Sequence, residues 1–447
     1  MSLYNRIHQL LFRSKDIIDG TGIYSRYRKL RHEQYLSGQE LQTLQNQRFR
    51  RLLYRAQKHS PYYRDKFQKN GIIIDENTSV SHLPQMPLLT REDLQNHLSD
   101  ILCDDASDHY INSTGGSTGN PVSFYQDRGY ELFSRASKLL FYDWMGIEPG
   151  CRKAYLWGMD RDLIFSTRYE KIMIRIDRAL YLNSFSMSDE KISKFLEALN
   201  KFRPHYIQGY SSSLYLIAAY INRTKPLRFR PIAIRSAAEM LFDFQRTEIE
   251  KAFGAPVYNF YGSREISFLA SECPAHEGLH VLNSGRIIEI VDEEGRPLPD
   301  GTPGYLAITD LYNLAFPFIR YINGDIAMFK ERPCSCGRGY KLLENIHGRS
   351  SDIIKIDGQY IHGEFFTHLF YGHPEIIQFQ LIQETPTHLR LLLVSDRKDL
   401  NTDYFRNKII ERVGDNVILD IEMTDHIPVL PTGKYRFTVS KLNDGED

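Results

Sequence analysis

The chain predicts an α/β protein with two parts: a large N-terminal domain of mixed sheets and helices, and a small α+β C-terminal domain. Three observations carry this expectation. Short β-rich runs alternate with helical periods between about 110 and 340, the pattern changes near 345, and 447 residues exceed one domain of roughly 100–200 residues. Hydrophobic residues make up 42% of the chain and charged residues 25%, with 56 basic against 56 acidic side chains, which excludes collagen-like, coiled-coil and wholly disordered proteins. No apolar run reaches the roughly 20 residues that span a bilayer. Met1 to Leu10 lacks the apolar core and small-residue cleavage site of a secretory signal, so a cytoplasmic location is expected.

The first element, over residues 1–110, reads as a basic helical arm packed on the main domain. Residues 1 to 70 hold 15 Lys or Arg against 5 Asp or Glu, at helix-compatible spacing broken by Gly20, Gly22 and Gly38. Such an arm is either a solvated helical layer or an electrostatic contact for an anionic membrane surface or an acidic partner. Thr90, with Asp93 three residues on, reads as a helix N-cap with a partial capping box. Residues 111–347 follow, with β-rich runs at Lys153–Trp157, His205–Gln208, Ile232–Arg235, Val257–Phe260, Ile287–Val291 and Tyr305–Thr309. Strands separated by helices predict a largely parallel sheet. From 348 to 447 the chain reads as several strands, helices near 363–371 and 401–413, a strand at 388–395 and a closing strand.

Chemistry concentrates in a few loops. Ser113, Thr114, Gly115, Gly116, Ser117, Thr118 and Gly119 combine three glycines, which allow close backbone approach, with four hydroxyls. That composition makes either a phosphate cradle or a flexible turn, and it lacks the lysine of the G-x-x-x-x-G-K-[ST] loop. In fixed order after it come Tyr261, Gly262, Ser263, Arg264 and Glu265, then Gly324 and Asp325, Gly348 and Arg349, and Pro431 to Lys434. Five cysteines are too few, and odd in number, for a disulfide scaffold. Cys273, Cys334 and Cys336 lie near His276 and His280, and three thiolates with one imidazole suit a closed tetrahedral Zn2+ site of structural kind. His280, at the start of an expected strand, is preferred as the fourth ligand, with His276 as the substitute. Three reduced, partly buried cysteines are the plainer reading.

Together these motifs resemble the adenylate-forming superfamily of acyl-coenzyme A ligases and adenylation domains. The closer resemblance is to the phenylacetate-coenzyme A ligase family and its CapK-like relatives of capsular polysaccharide biosynthesis. It is carried by Leu83-Pro84 to Leu94, the run Glu272 to Val281 and Cys334 to Arg338. The resemblance implies a mobile C-terminal domain and a reaction of ATP with a small carboxylate to give an acyl adenylate and pyrophosphate. A thiol, usually that of coenzyme A, then displaces AMP. It further implies that the Thr114–Gly119 loop holds the departing phosphates and that Tyr261 stacks on adenine. The backbone of Ala237, Ala238 and Glu239 reads the base, Glu265 helps hold Mg2+, and Asp325 with Arg349 binds the ribose. Lys434 neutralises charge as carboxylate and α-phosphate approach.

Three positions depart from the family pattern. Asn120 stands where relatives often carry Lys, Arg264 where many have a small hydroxyl, and Ser351 where the hinge commonly has an acid. Arg264 either supplies the charge that Asn120 lacks or forms a surface ion pair. Segments near Leu156–Asp160 and Gly209–Tyr215 are the expected walls of an acyl pocket. Asp160, Arg161 and Asp162 point to a polar acid or to a surface loop. An adenylyltransferase and a noncatalytic zinc-stabilised member remain as alternatives. A homodimer is compatible with the resemblance, and nucleic-acid binding is not expected because the basic arm has no recognition motif.

Overall fold

The computed structural model describes residues 14, 16–114, 122–157, 177–184, 189–224, 226–349, 353–356, 359–362, 366, 369–370, 373, 375–397, 400–427 and 436–442. The arm forms three helices, Ile23–Glu33, Gly38–His59 and Pro61–Lys69. Ser37 opens the second with a reciprocal capping box to Glu40, and Ser60 with Pro61 opens the third. Phe49, Leu52, Leu53 and Ala56 bury one face of the long helix against the main body. Two arm cations dock on the body, Arg48 donating to the Ser284 carbonyl and Arg55 Nε to the Leu314 carbonyl at 3.0 Å, while their ion pairs with Glu33 and Asp105, each at 2.6 Å, stay within residues 1–110. Thr90 caps the helix Arg91–Asn96 as expected, with Asp93 closing the box.

A hairpin follows, β1 (His109–Ser113) paired antiparallel with β2 (Ser123–Asp127). Asp127 ends β2 and caps the helix Arg128–Trp144, while its second carboxylate oxygen accepts the Leu314 and Ala315 N–H groups. The hairpin base is thereby fixed at both ends.

Five strands then run parallel: β3 (Lys153–Trp157), β4 (Ala179–Asn183), β5 (Tyr206–Gly209), β6 (Ala233–Ser236) and β7 (Val257–Ser263). Ala154, Leu156, Ile207, Ile234 and Val257 pack one face against the helices Asp189–Phe202, Ser211–Arg223 and Asp243–Phe253. The opposite face meets the helix Arg128–Trp144.

Beyond β7 the expected parallel order gives way. β8 (Ser267–Glu272), β9 (Leu279–Val281), β10 (Arg286–Val291), β11 (Gly304–Asp310), β12 (Tyr321–Phe329) and β13 (Leu342–Arg349) continue the same sheet with antiparallel ladders. The order is β10-β11-β12-β13-β9-β8-β7-β6-β5-β3-β4. The cause is chain length between strands. Only Arg264 to Ile266 separate β7 from β8, far short of the dozen or so residues a parallel crossover needs.

The C-terminal residues form a hairpin, β14 (Ile353–Ile356) with β15 (Gln359–His362), and a four-stranded sheet. In that sheet β16 (Ile376–Thr385) pairs antiparallel with β17 (His388–Ser395). The outer strands β18 (Ile418–Met423) and β19 (Thr438–Ser440) lie parallel to their neighbours. Phe366, Phe370, Phe379, Leu391, Phe405 and Leu419 make a core of their own, closed by the helix Asp403–Val413. Among the described residues, no helix is long and apolar enough to cross a membrane.

Candidate active site and metal centre

The hairpin β1–β2 delivers the Ser/Thr/Gly loop. Ser113 ends β1 opposite Ser123, and Thr114 closes the loop base: its N–H donates to the Val122 carbonyl and its hydroxyl accepts the Val122 N–H, both at 2.9 Å. Gly115, Gly116, Ser117, Thr118, Gly119 and Asn120 lie outside the described residues. Gln126, 1% exposed, fastens this hairpin to the next motif, since its amide nitrogen donates to the carbonyls of Arg264 and Glu265 at 3.0 and 3.1 Å.

That motif occupies the β7–β8 turn. A Cβ on Gly262 would fall 2.3 Å from the Ser267 carbonyl oxygen, so only glycine permits the two strands to approach there. Ser263 Oγ accepts the Ile266 N–H, shaping the turn. Glu265 is buried and its carboxylate accepts the Tyr321 hydroxyl at 3.0 Å. Arg264 is half-buried.

Tyr261 and Asp325, separated by 64 residues in sequence, meet directly. The Tyr261 hydroxyl donates to Asp325 Oδ2 at 2.6 Å, and the Asn323 amide donates to both that hydroxyl and Oδ2 at 2.7 Å. Asn323 Oδ1 in turn accepts the Asp325 N–H. Burial first, and the Asp325 charge second, hold the Tyr261 phenol well above its usual range, so it stays protonated and donates. The Glu265 charge acts more weakly on the same phenol, while its carboxylate bonds Tyr321. Backbone pairing puts Arg349 opposite Asp325 in the β12–β13 register.

The loop after β6 lies beside these groups. Ala238 takes a left-handed backbone with φ of 68°, and Ala237 N–H donates to the Gly209 carbonyl. The Glu239 carboxylate accepts the Ser212 N–H at 2.9 Å, and its carbonyl accepts the Ser211 hydroxyl at 3.3 Å. Trp157 stacks on Tyr210 with centroids 4.7 Å apart, so the two expected pocket walls touch; residues 158–162 lie outside the described set. Lys434, Ser351 and Asp352 also lie outside it. Phe437, three residues after Lys434, packs edge-on against Phe242, three residues after Glu239, at 5.7 Å. Sequence reading missed Asn323, Tyr321 and Gln126. Asn323 had a faint signal in its i, i+2 spacing to Asp325, whereas the other two had none.

Away from these groups, Cys273, His280, Cys334 and Cys336 gather with all four ligand atoms within 4.8 Å of one another. Cys273 Sγ lies 3.7 Å from Cys334 Sγ, and Cys336 Sγ lies 3.2 Å from His280 Nε2. His280 Nδ1 faces the Tyr340 carbonyl at 3.3 Å, which holds the proton on Nδ1 and turns the Nε2 lone pair to the thiols. Burial pushes the imidazole down to about 4, so it is neutral, as a metal ligand must be. His276 is turned elsewhere: its Nδ1 lies 3.0 Å from Glu272. Three thiols and one oriented imidazole are the donor set of a four-coordinate Zn2+ site with no open position. The same loop anchors the arm. Trp144 Nε1 and Arg338 Nε donate to Gln34 Oε1, and Gly339 N–H donates to the Gln34 carbonyl. A Cβ on Gly339 would sit 2.0 Å from the Leu36 carbonyl oxygen, so this docking requires glycine.

Comparison with known proteins bears on this arrangement. The CapK C-terminal domain family matches residues 353–441. Protein CapK of Staphylococcus aureus is 27% identical over 419 residues, covering 90% of each chain. The phenylacetate-coenzyme A ligase of Thermus thermophilus is 24% identical over 360 residues, covering 78% of this chain and 79% of the other. In fold, the chain is similar to 2-hydroxyisobutyryl-CoA ligase in the postadenylation state in complex with 2-HIB-AMP. The TM-score is 0.74 over 92% of each chain, at 18% identity. Against that ligase in the thioesterification state the TM-score is 0.62 over 91% of each chain. Over most of its length the chain is similar in sequence to CapK and to the phenylacetate-coenzyme A ligases, and in fold to 2-hydroxyisobutyryl-CoA ligase.

Proposed function

We propose that the protein is an AMP-forming ligase that activates a carboxylate with ATP and passes the acyl group to coenzyme A. In the first step a carboxylate oxygen attacks the α-phosphorus, the bond to the β-phosphate oxygen breaks, and pyrophosphate leaves. In the second the thiol sulfur attacks the acyl carbonyl, AMP departs with the bonding pair, and the thiol proton passes to solvent. The observation that carries this reading is the meeting of Tyr261, Asn323 and Asp325, with the Glu265 charge acting on the same phenol, at the β7–β12 end of the sheet.

The residues divide the work as follows. Ser113, Thr114 and Gly115–Gly119 cradle the departing phosphates, with Ser117 and Thr118 as donors. The Ala238–Glu239 backbone and the Tyr261 ring take the adenine, and Gly262 with Ser263 sets the turn that aims Glu265. Asp325 accepts the ribose hydroxyls, and Tyr261 and Asn323 hold it in place while Arg349 assists from β13. Mg2+, a hard cation suited to carboxylate oxygen, would be held by Glu265 and would offset phosphate charge. Lys434 bridges carboxylate and α-phosphate, and Arg264 adds positive charge near a loop whose Asn120 lacks it. The Phe437–Phe242 contact, which brings a described part of the C-terminal segment to the residues after the Glu239 loop, supports this reading. Residues 348–447 act as a lid that rotates between the two steps, with Ser351 as the pivot.

Zn2+ at Cys273, His280, Cys334 and Cys336 is structural, and it ties the β9 strand to the loop on which the arm docks. A cytoplasmic location and a homodimer belong to the same proposal. Because Arg48 and Arg55 are engaged by body carbonyls and by carboxylates of the arm, membrane contact by the arm would fall to its outward-facing cations. The test is product analysis with ATP, Mg2+, coenzyme A and a panel of acids. AMP and an acyl thioester should appear together only when an acid is present, and ADP in place of AMP would rule the reading out.

A further inference from the structure

One face of the parallel strands carries cations and hydroxyls where a sheet interior is ordinarily apolar. Strand alternation sends Ala154, Leu156, Ile207 and Ile234 toward one helical layer and Lys153, Tyr155, Tyr206 and Arg235 toward the helix Arg128–Trp144. Arg235 is 2% exposed. Its guanidinium carbon lies 3.4 Å from the Phe260 ring centroid and 5.2 Å from that of Phe268. The Tyr206 hydroxyl donates to Gln208 Oε1 at 2.8 Å and feels the Arg235 charge. Among the described residues, the Arg235 Nε is buried without a hydrogen-bond partner and no carboxylate pairs with it.

Two more cations share this layer. Lys138 Nζ lies 5.6 Å from the Tyr142 ring and 5.9 Å from the Tyr155 ring, and Lys153 Nζ lies 5.5 Å from Tyr142. The Tyr142 and Tyr155 hydroxyls are 3.1 Å apart, and the Tyr142 and Tyr206 rings meet edge-on at 5.2 Å. Asp177, an exposed residue, is the acid whose charge reaches Lys153. Burial and then Lys138 push the Lys153 ammonium below its usual range.

The placement matters as much as the charge. Arg235 directly precedes the Ser236–Glu239 loop and its stacking partner Phe260 directly precedes Tyr261, so this guanidinium sits at the root of the adenylate-binding end. Keeping a buried guanidinium without a counter-charge is costly, and the cost is recovered when an anion arrives. Phe260 fixes the guanidinium plane, and the buried, unpartnered Nε–H suits a carboxylate or phosphate oxygen.

We infer that Arg235 recognises a second anionic group on the acid this ligase activates, so that its substrate carries a further carboxylate or a phosphate. Lys138 and Lys153 extend the positive field along the tyrosine layer. The inference rests on the adenylation reading and deepens it.

Calorimetric titration of the full chain, with Mg2+ and a nonhydrolysable ATP analogue, tests it with matched acids. The pairs are homophthalate against phenylacetate, glutarate against glutaramate, and glucuronate 1-phosphate against glucuronate; the third separates phosphate from carboxylate. In the wild type the dianionic member of at least one pair should bind about tenfold more tightly, the size of one charge-assisted hydrogen bond. Arg235→Met should collapse that ratio to near unity, and Arg235→Lys should keep part of it. Melting curves report whether each variant folds. If the wild type shows no dianion preference in any pair, or if a folded Arg235→Met keeps the ratio, Arg235 is a structural cation and the inference falls. AMP formation is scored separately. An Arg235-dependent ratio without AMP would sink adenylation and leave anion recognition standing, whereas AMP formed only from the monoanionic acids would do the reverse.

Discussion

Replacing Tyr261 with Phe removes one hydroxyl and keeps the ring, so it separates the phenol's grip on Asp325 from adenine stacking. The lost donor lies 2.6 Å from a carboxylate oxygen in a buried setting. Hydrogen bonds to charged groups contribute about 1.5–3 kcal/mol, and each 1.4 kcal/mol is a factor of ten in an equilibrium constant. Asn323 keeps its own 2.7 Å bond to the same oxygen, which moves the expected loss to the lower end. We expect the KM for ATP to rise about tenfold while kcat at saturating ATP changes less than about threefold, the pattern of lost binding and not of lost transition-state contact. Initial rates of AMP formation across ATP concentrations provide the measurement. An unchanged KM in a folded Tyr261→Phe protein would show that the Tyr261–Asp325 contact does not orient the nucleotide site.

Three further perturbations follow from the geometry. Cys334→Ser, or stringent chelation of the wild type, should lower the melting temperature and speed amide exchange over residues 23–36, because the Cys334–Gly339 loop holds Gln34; unchanged melting after chelation would remove the zinc assignment. For Glu272, burial acts to raise the pKa, but hydrogen bonds from His276, Arg246 and the Asn259 N–H outweigh it and hold the carboxyl below its usual range. A depressed folded pKa contributes stability above the unfolded value of about 4.3 and loses it as pH falls through the folded value. The stability gap between wild type and Glu272→Gln should therefore be full at pH 7 and shrink in acid. A gap that stays constant down to pH 3 would contradict this. Gly262→Ala should cost about 1–3 kcal/mol by overpacking against the Ser267 carbonyl and should impair adenylation by moving Glu265, as read by thermal melts and AMP formation.

What the sequence made legible follows from how local each signal is. The Thr90 cap needs only Asp93 three residues away, and the structure places both in one box. β3, β5, β6 and β7 were visible as short β-rich runs, with β5 and β6 each followed by a helix, whereas β4 (Ala179–Asn183) was not named. The antiparallel extension was not, because β9 pairs with β13 across more than sixty residues, and nothing local in Leu279–Val281 names that partner. The metal centre divides the same way. Residue types suggested the members of the Cys/His cluster, while His280 and not His276 joins the three thiols in space because the Tyr340 carbonyl orients one ring and Glu272 engages the other. Arg235 escaped notice because a single cation in a short β-rich run reads as a strand edge, and only its 2% exposure reveals a buried charge. Asn323 and Gln126 act by holding other groups in place, a role that residue type alone does not encode.

Carboxylate-dependent ATP–pyrophosphate exchange tests the central claim most directly, because it reports the reversible first step without requiring the acceptor. With purified protein, Mg2+ and the acid panel above, labelled pyrophosphate should enter ATP only when a suitable acid is present. The signal should fall by orders of magnitude in Lys434→Ala while ATP binding persists. Exchange that ignores the acid, or that survives in Lys434→Ala at the wild-type rate, would contradict the account.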